Sequence, residues 1–191
     1  VEDGVEYLRH VASQEGVQID DEALNLISHK ADGGMRDALS MFDKAVSFCG
    51  TNLNYKDVAA TLNVLDYDTY FTVVDYLRAG DYINALLVFD NVLSRGFSVQ
   101  LFMSGLSQHM RDLLVTKSNA EALTEFTGSL LSRYREQGAQ CDTELLFGAI
   151  SLLAAADGAI RAASSQRILV ELTLMKIAEL SKKKTLTPTT L

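Results

Sequence analysis

Apolar residues recur at three- and four-residue intervals along most of this chain, with polar residues between them, the signature of helices that each bury one stripe. Val5, Leu8 and Ala12 mark a first helix over about residues 4–14, with Glu6 and Arg9 opposite them and a turn at Glu15-Gly16. A second helix is predicted to open at Asp20, a capping residue followed by Asp21 and Glu22 at the positive pole, with Ile19 stapled on Leu24. It should run to about Ala31. After Gly33-Gly34 a third helix carries Met35, Leu39, Phe42 and Val46 as its buried stripe and Arg36, Ser40, Asp43 and Ser47 as its polar face. Gly50 offers it a left-handed cap. Three or four short helices thus make a first unit, placed at residues 1–64.

The helices then lengthen. Tyr67, Tyr70, Phe71, Val74 and Leu77 mark one, Gly80-Asp81 ends it and caps the next, and Ala85, Leu86, Phe89, Val92 and Leu93 mark that partner up to Gly96. Ser98 is expected to cap a helix carrying Phe102, Leu106, Met110 and Leu113, followed by a weaker helix over residues 120–137 and an apolar one over 143–161. The final helix, over 165–181, is apolar almost all round, through Ile168, Leu169, Val170, Leu172, Leu174, Met175, Ile177 and Leu180. Such a helix needs cover on several sides, and a second subunit is expected to supply part of it. The predicted fold class is all-α: a small helical unit, a helical bundle over residues 65–181, and a polar tail over 182–191. The single proline, Pro188, lies in that tail, so nothing before it carries the strongest helix breaker.

A net charge of −8 argues against nucleic-acid binding by this piece itself, which would need clustered Lys and Arg facing phosphates. The basic run Lys182-Lys183-Lys184 suits the negative pole of the last helix. Cys49 and Cys141 are too few for a disulfide framework and too far apart for a metal pair, which fits a reducing, cytoplasmic setting. The most apolar stretch, residues 145–156, is too short to cross a bilayer, so no membrane partner is expected. The opening Val1-Glu2-Asp3-Gly4 has no methionine and is expected to continue from a longer chain.

Candidate chemistry is sparse. No glycine precedes a lysine, so a phosphate-cradling P-loop is missing, and no acidic cluster suggests a magnesium site. His10, His29 and His109 lack a second ligand at helical spacing, so no metal is expected. Cys49 beside Phe48 is expected to be buried and inert. Arg36 stands out, because it sits in the opening turn of a helix after a glycine pair. Taken alone, such an arginine is ordinarily solvated or paired, here to Asp32 or Asp43.

The run Gly33-Gly34-Met35-Arg36-Asp37-Ala38-Leu39-Ser40 resembles the sensor 2 motif of AAA+ ATPases. Its continuation to Ala45 resembles the gamma/tau family of bacterial DNA polymerase III clamp-loader subunits. A second motif, Arg167-Ile168-Leu169-Val170-Glu171-Leu172-Thr173-Leu174-Met175, is similar to the closing collar helix of that family. Residues 66–142 match by helix pattern more than by motif. Gly34 departs from the serine common in the family.

The resemblance implies an AAA+ lid followed by an oligomerisation collar, within an ATPase of the DNA-directed DNA polymerase III holoenzyme. It implies that Arg36 reaches the γ-phosphate of ATP, a task suited to a permanently charged fork of donors, with Met35 packing near the nucleotide. ATP itself would be held by an N-terminal ATPase domain preceding Val1, so this piece alone is expected to be catalytically inactive. Ile168, Leu172, Leu174 and Met175 are implied to join subunits. The implied partners are the delta and delta-prime subunits, other gamma/tau copies, and, in the full complex, the sliding clamp and primer-template DNA. The alternative is a helical-repeat adaptor, suggested by the tetratricopeptide-like pair of helices between Tyr67 and Arg95. No repeat of about 34 residues supports it.

Overall fold

The computed structural model describes the backbone of residues 2–32 and 34–185 and the side chains of residues 4–32 and 34–182. Gly33 and the tail beyond Thr185, which the sequence reading included, lie outside the described residues. The chain divides into two units, Val1–Asp66 and Tyr67–Leu191.

The first unit holds four helices: α1 (Glu2–Glu15), α2 (Asp21–Lys30), α3 (Met35–Cys49) and α4 (Tyr55–Thr61). Between them runs a short parallel pair, β1 (Gln18–Ile19) with β2 (Asn52–Leu53), in register Gln18↔Asn52 and Ile19↔Leu53. The sequence pattern did not announce it, because two residues are too few to show alternation. Its hydrogen bonds, extended by Gln18 N to Thr51 O and Asp20 N to Leu53 O, tie the end of α1 to the end of α3. Leu8, Leu24, Ile27, Phe42, Leu53 and Val58 are fully buried at the centre of the unit. At about 2–3 kcal/mol for each such side chain, these residues dominate the stability of a domain this small.

Two local expectations are corrected here. Asp20 adopts the extended conformation of an N-cap, but its side chain makes no capping bond. The neighbouring Asp21 instead accepts from Arg9 Nη2 at 2.8 Å, linking α2 to α1. The stripe on α3 is also shifted, since Ala38, Phe42 and Ala45 are buried while Met35 is 40% exposed and Leu39 and Val46 are half-buried. The small alanines let α3 approach its neighbours closely, and the larger residues flank that seam. Gly50 ends α3 with φ at +78° but ψ at −152°, so it takes a glycine-favoured conformation other than the left-handed cap expected of it.

The second unit holds α5 (Tyr67–Arg78), α6 (Tyr82–Ser94), α7 (Val99–Lys117), α8 (Gly128–Gln140), α9 (Thr143–Ala159) and α10 (Gln166–Thr185). Its central helix is α7, which packs on α8, α9, α10, α5 and α6. Gly80, with φ at +74°, turns the chain between α5 and α6, and Asp81 caps α6 by accepting from Asn84 N at 3.2 Å. Ser98 caps α7 in the same way, accepting from Leu101 N at 3.0 Å. The weak helix expected over residues 120–137 is a 3-10 turn at Glu121–Leu123 and then α8, which starts at Gly128. The final helix runs four residues past its expected end, so the first four positions of the supposed tail are helical.

The α5/α6 pair does not stack on a second pair of its own kind. Helix α10 packs on both members, and Ser181 Oγ donates to Leu77 O at 3.1 Å. Close approach also governs α7, where a Cβ on Gly105 would lie 1.9 Å from Tyr70 Oη.

Candidate functional site

Arg36 lies in the first turn of α3, and the chain leading to it is tightly wound. Ala31 closes α2 by donating to Ile27 O at 3.0 Å, and Asp32, at φ +51°, donates to His29 O at 3.1 Å. Gly34 N then donates to Ala31 O at 2.9 Å, and Ala38 N to Gly34 O at 2.9 Å. Gly34 sits at φ −76°, which any residue adopts, and a Cβ there would meet Ala31 O at 3.1 Å. A serine in its place would therefore need only a slight shift of the turn.

The guanidinium of Arg36 is exposed, and no described residue forms an ion pair or hydrogen bond with it. Asp32 and Asp43, the partners its sequence neighbourhood suggested, do not hold it. Most other arginines do find a carboxylate: Arg9 bonds Glu6 and Asp21, Arg78 bonds Asp75, Arg133 bonds Asp68, Arg135 bonds Glu121, and Arg167 bonds Asp90. Arg36 also occupies the positive pole of its helix, where a cation is disfavoured by about 0.3–1 kcal/mol. Gly34 supplies no side-chain cap, which leaves that pole available to an anion. Met35 is exposed beside Arg36.

The residues expected to join subunits divide. Ile168 and Leu172 are 64% and 44% exposed on α10 and Met175 is half-buried, but Leu174 is fully buried. Leu174 is therefore a core residue with no surface for a partner, a correction that follows from its place on the buried side with Val170, Ile177 and Ala178. The sequence reading missed Ile83 and Leu87, exposed on α6, the helix that α10 packs against. Their four-residue spacing was visible, but an apolar helix gives no sign of which face meets water.

His109 is the second feature that spacing concealed. It is 2% exposed in the core of the second unit, with Nδ1 2.9 Å from Tyr134 Oη and Nε2 2.8 Å from Gln137 Oε1. Gln137 Nε2 donates to Phe71 O at 2.8 Å and Asp75 Oδ1 at 3.0 Å, so its Oε1 must accept from His109 Nε2–H. Nδ1 is then the acceptor for the Tyr134 hydroxyl. Burial pushes the imidazole down to about 4, helped by Arg133 and opposed by the Gln137 hydrogen bond and by Asp75. At neutral pH the ring is uncharged and structural. Burial raises the Cys141 thiol to about 11, so it is no nucleophile. Cys49, expected to be buried, is half-buried, with Sγ 3.2 Å from Thr61 Oγ1, and the adjacent Phe48 is 75% exposed. Among the described residues no group of three His, Cys, Asp or Glu side chains is placed to hold a metal, and no single helix is long and apolar enough to cross a membrane.

A small helical unit followed by a helical bundle is consistent with the lid and collar of a clamp-loader subunit, and the family matches place it in that class. Residues 5–51 match the ATPase lid domain of the DNA polymerase III clamp loader subunit, and residues 53–189 match domain III of DNA polymerase III subunits gamma and tau. The chain belongs to the gamma/tau family of DNA polymerase III.

Relatives include the gamma/tau subunit of Mycobacterium tuberculosis, 27% identical over 89% of this chain, and the tau subunit of Bacillus subtilis, 25% identical over 91%. The chain spans only 30% and 31% of their respective lengths. A Bacillus subtilis DNA clamp loader delta protein shares the fold, with a TM-score of 0.55, 18% identity, and coverage of 93% of this chain and 56% of that one. The family boundary near residue 52 falls before α4, which packs on α2 and α3 within the first unit.

Proposed function

We propose that this chain is the nucleotide-sensing lid and the assembly collar of a clamp-loader ATPase that loads the sliding clamp during DNA replication. The observation that carries the reading is Arg36, exposed, without a carboxylate partner, and held at the positive pole of α3 inside a unit of the lid family. A guanidinium so placed suits the γ-phosphate of an ATP held by an ATPase domain preceding Val1, with Met35 packing beside the nucleotide. Binding and hydrolysis would then alter the angle between lid and ATPase domain.

In this reading, Ile168 and Leu172, with Met175 beside them and Ile83 and Leu87 on α6, meet neighbouring subunits: delta, delta-prime and other gamma/tau copies in a pentameric ring. The work is cytoplasmic, and the sliding clamp and primer-template DNA are partners of the assembled complex, with no direct nucleic-acid contact by this piece. The helical-repeat alternative loses its support, since the family match accounts for the α5/α6 pair without a peptide groove.

The test is Arg36→Ala in the full-length protein, measured by ATP affinity and by clamp loading onto primed DNA. Both should fall, and wild-type values in both would remove the sensor assignment. For the collar, light scattering of the chain mixed with delta and delta-prime subunits should show a heteromeric complex.

A further inference from the structure

We infer that Lys30 is the positioning residue for Arg36: its ammonium pins the turn that carries the arginine to the carboxyl end of α4. The inference rests on the sensor reading of Arg36 and adds what holds that side chain in place.

Arg36 has no side-chain partner among the described residues, so the backbone beneath it is what fixes the point from which its side chain departs. On either side of Gly33, hydrogen bonds from Ala31 and Asp32 close the end of α2, and bonds from Gly34 to Ala31 O and from Ala38 to Gly34 O tie that end to the first turn of α3. Ala31 and Ala38 anchor it at either end, at 6% and 4% exposure. Through the Gly34 N to Ala31 O bond, the end of α2 and the first turn of α3 are coupled.

Lys30 is the last residue of α2, and its Nζ donates to Leu62 O at 2.8 Å, across 32 residues of sequence. Leu62 is the C-cap of α4, and the helix ends in a fixed motif there: Asn63 at φ +56° donates to Ala60 O at 3.2 Å and Val64 to Ala59 O at 2.9 Å. A cation is favoured at this negative pole. Lys30 thus fastens the end of α2, just before the turn to Arg36, to the hydrogen-bonded end of α4. No carboxylate claims its ammonium among the described residues.

A double-mutant cycle on ATP affinity in the full-length protein tests this. Arg36→Ala should weaken ATP about tenfold and Lys30→Met about three- to fivefold, the size of one charge-assisted hydrogen bond acting indirectly. Lys30→Arg, which keeps a cationic donor, should return most of the affinity. In the Arg36→Ala background Lys30→Met should add nothing, a result that a merely stabilising lysine would not give. If Lys30→Met matches wild type while Arg36→Ala is impaired, or if the two losses multiply, the Lys30 inference falls and the sensor reading stands. If Arg36→Ala itself binds ATP normally, the sensor reading falls and takes this inference with it.

Discussion

The buried His109 makes the stability of the second unit depend on pH. In the unfolded chain the imidazole takes its ordinary value of 6.5, whereas in the folded core burial holds it near 4. Below pH 6.5 the unfolded state gains a proton that the folded state cannot accept, so stability is complete above that pH and is lost as pH falls toward 4. Over the whole interval the loss amounts to about 3 kcal/mol, and between pH 7 and pH 5 to about 2 kcal/mol. Hydrogen bonds from Asn84 hold the Asp81 carboxyl, and hydrogen bonds from its own backbone and from Arg135 hold that of Glu121, below their ordinary values.

The assay is urea unfolding followed through amide resonances of α7 at pH 7 and pH 5, in wild type and in His109→Phe. The variant should be less stable at pH 7, because the Tyr134 hydroxyl and Gln137 Oε1 lose their partner, but it should lack about 2 kcal/mol of the wild-type pH dependence. A direct titration should find the His109 ring neutral until about pH 4. Equal pH dependence in the two proteins, or a ring that protonates near pH 6.5 while the fold persists, would refute the argument.

Leu174→Ala should cost about 2–5 kcal/mol in chemical denaturation by leaving a core cavity. Ile168→Asp should leave the melting temperature nearly unchanged while abolishing the heteromeric complex in light scattering. Gly105→Ala should destabilise the second unit by about 1–3 kcal/mol, because the new methyl must push Tyr70 off Phe102 and His109, and circular dichroism melts would register it. Ser98→Ala should cost about 1 kcal/mol by removing the α7 cap, with Asp20→Ala close to neutral because that side chain caps nothing; denaturation midpoints compare the two.

The helices were legible wherever one face alone is apolar. Tyr70, Phe71, Val74 and Leu77 on α5 and Phe102, Leu106, Met110 and Leu113 on α7 are buried as their spacing implied. The pattern misled where a helix is apolar on every side: nothing along α10 separated buried Leu174 from exposed Ile168, since only the neighbouring helices decide which face is covered. It also misled on α3, where small alanines form the seam and larger residues flank it. Arg36 was found through a local motif. Lys30 and His109 were not, because their partners lie 25 to 32 residues away and the bonds exist only once the helices have packed.

On the proposed sensor reading, the contrast between Arg36 and the arginines around it shows why pairing matters. An exposed pair such as Arg167 with Asp90 is worth at most about 1 kcal/mol, yet a ligand competing for the guanidinium must first break it and reorder the side chain. Arg36 carries no such debt, and its place at the positive pole of α3 means that an arriving anion relieves a repulsion as well as forming bonds. What is held is the backbone from which the guanidinium departs, by the Gly34 N to Ala31 O bond and, as inferred above, by the hold of Lys30 on Leu62 O. Rigidity is thus placed where it does not compete with the ligand.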